Sequence, residues 1–583
     1  MYNEIRMPNF EERPIKEIKN SFSVRGYSKI TRQLNKGIDT IAKEKKVIVF
    51  DYYHGVDEQA MLDNVLRNIG NATLIDSSHA KYSEDIIMDK FGKYITDDRI
   101  FGVYCWEIID ACFDPIKVKE IRDRIEEASG LVILYGVASS IITRGDILVY
   151  CNISYQEINK RYMEGLDNWG AKNHDEDYER KLKRGTFFEF VMQDRHKRPL
   201  LKECDYMIDC NDTENPVLVT GEEFRNVLTL FASTPFKAVT AFIPSVWGGD
   251  WCKKVLDCGK DLVNTGWGMN GFLEVQSVLA KVGDNVMEFP STDIYNYNPK
   301  ETLGKKIFYL YGYCCPLHVN FLDTYRGGNL SLQVHPTTSY SQEVFNAKYG
   351  HFESYYILDA TEESLVYLGT KDGVKKDELI EAFEKAQETN EFDDEKYINK
   401  FPVKRHDHIF IPAGTIHSSG INTLVLEIDM TTFATFKLWD WNRVDLDGRP
   451  RPINIDHGKH NIQEEFQTTL LKDMFISKKQ EIGRGHGWVK EHSGTMPFEA
   501  PIKVDRYWFN NLIYFETNDC IIIHVLVDGE EAIVESMDGE FEPMVFHFAE
   551  AVFVPASVGH YTIRPFGRSE GKQCAVLEIY MNI

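Results

Sequence analysis

The chain runs to 583 residues, more than one hydrophobic core can serve, and at about 150 residues per domain it should divide into several. With 43% hydrophobic and 13% aromatic residues it is not a disordered protein. A net charge of −24 argues against nucleic acid as a partner, because a phosphate backbone would be repelled.

Residues 1–45 are charged and carry no apolar signal-peptide core, and they read as an N-terminal extension. The longest apolar stretch, LVILYGVASSII from Leu131, stops at Arg144 and Asp146, short of the ~20 residues a membrane span needs, so no membrane is expected. Eleven cysteines, an odd number without C-x-x-C spacing, read as reduced thiols and predict a cytoplasmic location.

From Lys46 to about Ser233 the rhythm is α/β. KVIVF, ATLID, LVILYG, DILVYC and YMIDC are short buried-strand runs, separated by helical patterns such as QAMLDNVLRNI. That alternation predicts a Rossmann-like, mostly parallel sheet with helices on both faces over 46–233. The first strand ends in VIVFDYYHGVDEQAM, where a phosphate-binding loop would carry G-x-x-x-x-G-K-[ST]. Gly55 is present, the Lys-Ser/Thr pair is absent, and Asp57 and Glu58 would oppose a triphosphate. The domain resembles a nucleoside or sugar kinase whose phosphate loop has degenerated. The basic run Lys183, Arg184, Arg195, Lys197 and Arg198 reads as a solvated helix face ahead of a phosphate clamp.

From about Thr234 the pattern turns to short strands separated by Gly, Asn and Asp turns, which predicts an all-β double cupin of β-sandwich or jelly-roll type. Residues 234–470 form the first such domain, with a helical insert at about 374–400. The polar stretch from Leu470 to Phe498 reads as a connection, and 471–583 as a second, structural cupin-like domain.

The first domain holds the feature that points to chemistry. Gln333 and His335 stand two apart in LSLQVHP, Glu353 lies in HFESYYILDA, and His417 follows the turn IFIPAGT. Residues two apart on a strand share a face. Two imidazoles, a carboxylate and an amide oxygen on neighbouring strands suit one divalent metal per chain, zinc first, with iron, cobalt or manganese as alternatives. VFVPASVGHYTI in the second domain echoes IFIPAGTIHSSG, so His560 stands where His417 stands. The matching strands there hold no Q-x-H and no comparable Glu, and one ligand does not hold a metal.

QVHP, the Glu of ESYYILDA, IPAGTIH and LVLEID, in that order, resemble the type I phosphomannose isomerase family of the cupin superfamily. The resemblance runs from PSVWGG near Val246 to RPINIDHG near Ile455. It implies a metal-dependent aldose–ketose isomerase that interconverts mannose 6-phosphate and fructose 6-phosphate, or a closely related sugar, through a cis-enediol. It further implies catalytic roles for Glu427 in LVLEID and for Lys437, which falls where the family carries an arginine, with Arg443 six residues on. Asn320 and His351 stand where the family carries lysines, which weakens the case for a phosphorylated sugar. The competing reading is a sugar or sugar-phosphate binding protein without turnover.

Overall fold

The computed structural model describes residues 8–474, 476, 478–494 and 500–583, in two compact units that each draw on separated stretches of sequence. One comprises Ile15–Ala232 with Glu274–Asn298. The other comprises the described part of residues 1–14, Ser233–Leu273 and Pro299–Ile583. Taken together, the chain is built on several sheets and is β-rich.

In the first unit, β1 is Ile15–Ile18, β2 Val24–Arg25, β3 Lys46–Tyr52 and β4 Thr73–Asp76. They are followed by β5 (Leu131–Val137), β6 (Ile147–Asn152), β7 (Tyr206–Asp209) and β8 (Val217–Thr220). Seven of these strands form one sheet in the order β2-β8-β7-β6-β3-β5-β4. The links among β3 to β7 are parallel, while β8 and β2 add on antiparallel. Each parallel link needs a crossover, and helices such as Glu84–Ile95, Pro115–Glu127 and Tyr155–Met163 provide them. β3 is central and buried beyond Lys46, as its unbroken apolar run requires. Strand order reverses at β3, so a crevice opens at its carboxyl end.

Residues 15–39, read from sequence as part of an extension, belong to this unit. They supply β1, β2 and the helix Tyr27–Asp39, which buries Ile30, Leu34 and Ile38 at four-residue spacing. β1 pairs in parallel with β11 (Ser277–Val282), itself antiparallel to β12 (Asn285–Pro290). The stretch 274–298 thus returns to the α/β unit, although the sequence had placed it in the β-rich half.

The second unit opens with β9 (Ala241–Ile243) and β10 (Trp267–Gly271) and continues as two barrels. The first barrel has β13 (His318–Asp323), β14 (Leu332–Val334), β15 (Phe352–Ala360) and β16 (Leu365–Thr370). It continues with β17 (Ile398–Pro402), β18 (His408–Ile411), β19 (His417–Ser419), β20 (Thr423–Met430) and β21 (Phe436–Trp439). One face is β18-β15-β20-β13-β10-β9 and the facing sheet is β17-β16-β19-β14-β21. Leu322, Tyr355, Ile357, Val366, Leu368 and Val425 fill part of the interior. The predicted helical insert is present as Lys376–Thr389, with Leu379, Phe383 and Ala386 buried.

The stretch 470–498 is more than a connection. It begins within the helix Thr468–Met474 and includes a hairpin of β22 (Gln480–Gly485) and β23 (Trp488–His492), while 475, 477 and 495–498 lie outside the described residues. β23 pairs with β24 (Ile502–Phe509), the first strand of the second barrel. There follow β25 (Ile513–Glu516), β26 (Ile522–Asp528), β27 (Glu531–Ser536), β28 (Met544–His547), β29 (Ala551–Val554), β30 (His560–Pro565) and β31 (Cys574–Met581). The sheet order β24-β31-β26-β29 repeats β13-β20-β15-β18, and β25-β30-β27-β28 repeats β14-β19-β16-β17. The two barrels are therefore one topology used twice.

Candidate metal centre

Gln333 sits on β14 between two neighbours, directly opposite His417 on β19 and Lys437 on β21. Opposed residues of antiparallel strands project to one face, so these three side chains form a row. His335 lies just past the end of the same strand. Glu353 comes from β15 in the facing sheet, opposite Ile411 and Asp429. The turn that delivers His417 needs Gly414, whose φ of +85° would place a Cβ 2.5 Å from the Asn461 carbonyl oxygen. The Gly414 N–H donates to the His335 carbonyl at 3.0 Å and ties that turn to the neighbouring ligand segment.

The four predicted ligands converge. Glu353 Oε2 lies 2.7 Å from His335 Nε2 and 2.9 Å from His417 Nε2, and Gln333 Nε2 lies 3.3 Å from His417 Nε2. A half-turn of the Gln333 amide brings its oxygen to that position. The protons can be placed from the other side of each ring. His417 Nδ1 is 2.9 Å from the Thr415 carbonyl and His335 Nδ1 is 3.3 Å from the Ala434 carbonyl. A carbonyl only accepts, so both Nδ1 atoms carry hydrogen and both Nε2 atoms are turned toward Glu353.

Burial and His351 push the His335 imidazole down to about 4, against Glu353, which leaves it neutral near pH 7. Burial opposes the charge on Glu353, but His417 and His335 hold its carboxyl well below the usual range. Neither Glu353 oxygen, nor His335 Nε2, meets a hydrogen-bond partner of suitable geometry. Two imidazole nitrogens and a carboxylate crowded together inside a protein, with their hydrogen-bonding geometry unmet, are what a cation resolves. The donor set therefore fits a borderline divalent ion.

A second layer surrounds these residues. β13 and β20 pair Asn320 with Glu427 and His318 with Asp429. The Asn320 amide donates to Glu427, whose carboxyl is pushed well up by burial and by neighbouring Glu353. His351 stacks on His335 at 3.6 Å, with Nε2 3.4 Å from Asp429 and Nδ1 3.1 Å from Thr431 Oγ1. Among the described residues, ligand atoms of His335, His351 and Glu353 all lie within 4.8 Å of one another, so His351 joins the cluster that the sequence had limited to four. The signal for Asp429 and His318 was present as the polar i, i+2 pairs of E-I-D and H-V-N inside apolar runs.

Glu427 and Lys437 thus lie beside the cluster and in its row. Arg443 stands apart. Its guanidinium donates to the Asn329 carbonyl at 2.8 Å and pairs with Asp440, so it braces the segment after β21.

Register carries the comparison to the second barrel. Gln333 faces His417 as Glu516 faces His560, and Glu353 faces Ile411 as Ile522 faces Val554, with Ile411 and Val554 each just before a proline. An isoleucine therefore stands where the first barrel has its carboxylate. The His560 side chain is 64% exposed and 4.0 Å from Glu516. A further group of metal-binding residue types, Glu11, His547 and Glu550, already holds a cation, because Lys237 Nζ bridges Glu11 and Glu550, the latter at 2.7 Å.

In the α/β unit a cavity of about 520 Å³ opens at the carboxyl end of β3. Its lining includes Gly55, Asp57, Glu58, Arg161, Glu164 and Thr213. Burial and Asp76 push the Glu58 carboxyl up to about 7. Arg161 is committed to Glu157 and to the carbonyls of Gly55, Cys210 and Asn211. The basic run is not a solvated face. Lys197 is fully buried, 2.7 Å from Asp293 and 3.4 Å from Asp194, Arg184 pairs with Glu189 at 3.0 Å, and Lys183 donates to the Thr96 carbonyl. Among the described residues no helix is long and apolar enough to cross a membrane.

Residues 26–233 match a family model described as a domain of unknown function, DUF8485. The chain is 30% identical over 178 residues to mannose-6-phosphate isomerase ManA of Bacillus subtilis (strain 168), a match that covers 28% of this chain and 54% of the relative. It is 30% identical over 127 residues to mannose-6-phosphate isomerase of Streptococcus mutans, covering 22% of this chain and 38% of that protein. The chain thus spans about half or less of these curated relatives. A crystal structure of mannose 6-phosphate isomerase from Bacillus subtilis superposes with a TM-score of 0.49 at 17% identity, over 60% of this chain and 99% of that one. Over about a quarter of its length, then, the chain is homologous to mannose-6-phosphate isomerases.

Proposed function

We propose that the first barrel is a metal-dependent aldose–ketose isomerase that interconverts mannose 6-phosphate and fructose 6-phosphate, or a closely related sugar, through a cis-enediol. The observation that carries this reading is the meeting of two Nε2 atoms, each on a ring anchored through Nδ1 to a backbone carbonyl, with the buried carboxylate of Glu353. Gln333, His335, Glu353 and His417 would hold one divalent ion, zinc first, and His351 would support His335 by stacking. When bound there, such an ion supplies Lewis-acid polarisation of sugar oxygens.

The remaining work falls to the chain. The transfer of a proton between C1 and C2 needs a group that carries one in a dry site. Glu427 fits as the carboxylate that would accept the proton from one carbon and return it to the other, because burial and Glu353 raise its affinity for a proton and Asn320 fixes its orientation. Lys437 fits the task of offsetting negative charge on the enediolate or on a phosphate, since it shares a face with Gln333 across β21. Asn320 donates to Glu427 and His351 lies 3.4 Å from Asp429, and Lys437 is the cation we assign to the substrate. That balance favours testing free sugars beside phosphorylated ones. For the α/β unit we read a kinase-like fold without phosphoryl transfer, supported by the acidic lining at the end of β3.

The test is a coupled assay for conversion of mannose 6-phosphate on metal-quantified protein, beside His417→Ala. Activity that tracks about one metal per chain and is lost in the variant supports the reading. If metal binds without turnover of mannose 6-phosphate, mannose, lyxose and fructose are assayed next. Sugar binding with no turnover of any of them would replace the enzyme by a binding protein.

A further inference from the structure

The loop after β20 holds a strained aromatic residue beside the cluster. Phe433 has φ of +62°, a region that a bulky L-residue rarely adopts and that marks functional sites when the surroundings enforce it. Its neighbours enforce it. The Phe433 N–H donates to Thr431 Oγ1 at 3.0 Å, and that hydroxyl lies 3.1 Å from His351 Nδ1. One residue beyond, the Ala434 carbonyl accepts from His335 Nδ1. The backbone on both sides of Phe433 is therefore pinned to histidines of the cluster.

The ring itself goes outward. Phe433 is 40% exposed, while Gln333, His335, Glu353 and His417 are at most 4% exposed. It stacks on Phe272 with centroids 5.3 Å apart and planes at 12°, and Phe272 lies 4.0 Å from the ring of His318. Trp441 shares the left-handed backbone, but its indole N–H donates to the Leu330 carbonyl at 2.8 Å and its ring packs on Tyr367, so it has a local reason. A phenyl ring has no polar handle, and an exposed one gains little from solvent.

We propose that Phe433, backed by Phe272, is the platform on which the C–H face of a hexose packs as it meets the cluster. The electron-rich ring face attracts polarised C–H bonds and does not favour a phosphate. Phe433 is then a specificity residue for the sugar skeleton, and it holds no proton for the chemical step. The proposal rests on the isomerase reading only in taking a sugar as ligand.

The experiment compares Phe433→Ala, Phe433→Gly and Phe433→Trp with the unaltered chain. Glycine relieves the backbone strain while removing the ring, so a purely structural role and a platform role separate. Loss of one aromatic stacking partner should raise KM by roughly three- to tenfold in the Ala and Gly variants. The expectation includes a kcat within about threefold, unchanged metal content, and recovery of KM in Phe433→Trp. A KM within twofold of the parent in both Ala and Gly variants, or loss of metal along with activity, overturns the platform. If the parent turns over no sugar, the isomerase reading fails and the platform is read by calorimetric titration with mannose and fructose. Binding by the parent that weakens at least threefold in Phe433→Ala supports it. Equal binding, or none in the parent, overturns it.

Discussion

Glu353 and Ile522 occupy the same register position in two barrels of identical strand order, each opposite the residue that precedes a proline. At that position the first barrel has the buried carboxylate of its cluster and the second an apolar core residue. In the second barrel Tyr507, Phe515, Leu526 and Tyr561 pack together in the interior.

Metal content should follow that difference. Purified protein is expected to hold about one divalent ion per chain after dialysis against buffer. Glu353→Ala and His417→Ala should each lose it, because a three-donor remnant binds far more weakly. His560→Ala should keep it, since that side chain is exposed and its barrel lacks the carboxylate. Elemental analysis of the three variants decides the matter, and retention of metal in both first-barrel variants would remove this cluster as the site.

Lys437 should separate chemistry from metal binding. It stands opposite Gln333, so its side chain leaves the strand on the same face as the ligands, and an ammonium is not a donor to a cation. Lys437→Met is expected to lower kcat by about tenfold or more, the usual scale for loss of one charge-stabilising group. Metal content should stay as in the parent. Lys437→Arg should recover only part, because a planar guanidinium does not reproduce a point charge. Equal turnover in Lys437→Met would take the residue out of the mechanism.

What the sequence revealed and what it hid have physical causes. Gln333, His335, Glu353 and His417 were legible because each is a ligand-type side chain within or beside an apolar strand, where polarity has no structural reason. Asp429 and His318 were not singled out, because β13 and β20 pair residues more than a hundred positions apart and register is invisible before the sheet forms. Lys197 looked like surface charge because its partner Asp293 lies in a stretch that composition had assigned to the β-rich half. The hairpin β22–β23 escaped notice because neither strand has a buried face, so no alternation marks it.

The buried ion pair makes its own prediction. Lys197 carries no solvent exposure, and Asp293, likewise buried, also accepts from Asn152 at 2.6 Å. Lys197→Met would leave that carboxylate without its cation and should cost the α/β unit roughly 3–5 kcal/mol. Replacing both partners, Lys197→Met with Asp293→Leu, should recover much of the loss, since no charge is then stranded. Scanning calorimetry reads both variants. A single variant as stable as the parent would show that the pair contributes nothing.

Acid should weaken the barrel unit through two histidines that fold in the neutral form. His524 donates from Nδ1 to the Leu577 carbonyl at 2.9 Å and accepts at Nε2 from Tyr561 at 2.7 Å, and burial pushes its pKa down to about 4. His408 lies 2.7 Å from Ser493 Oγ through Nδ1, and burial together with Arg506 lowers it to about 3. An unfolded histidine titrates near 6.5, so between that value and 4 or 3 the unfolded chain binds protons that the folded chain does not. The stabilising contribution is therefore complete above about pH 6.5 and is lost as pH falls through the folded values, on the order of 3 kcal/mol for His524. His524→Gln keeps a donor and an acceptor but cannot take up a proton. Its urea midpoint should vary less than the parent's between pH 6.5 and 4, and parallel curves would mean that His524 does not drive the acid sensitivity.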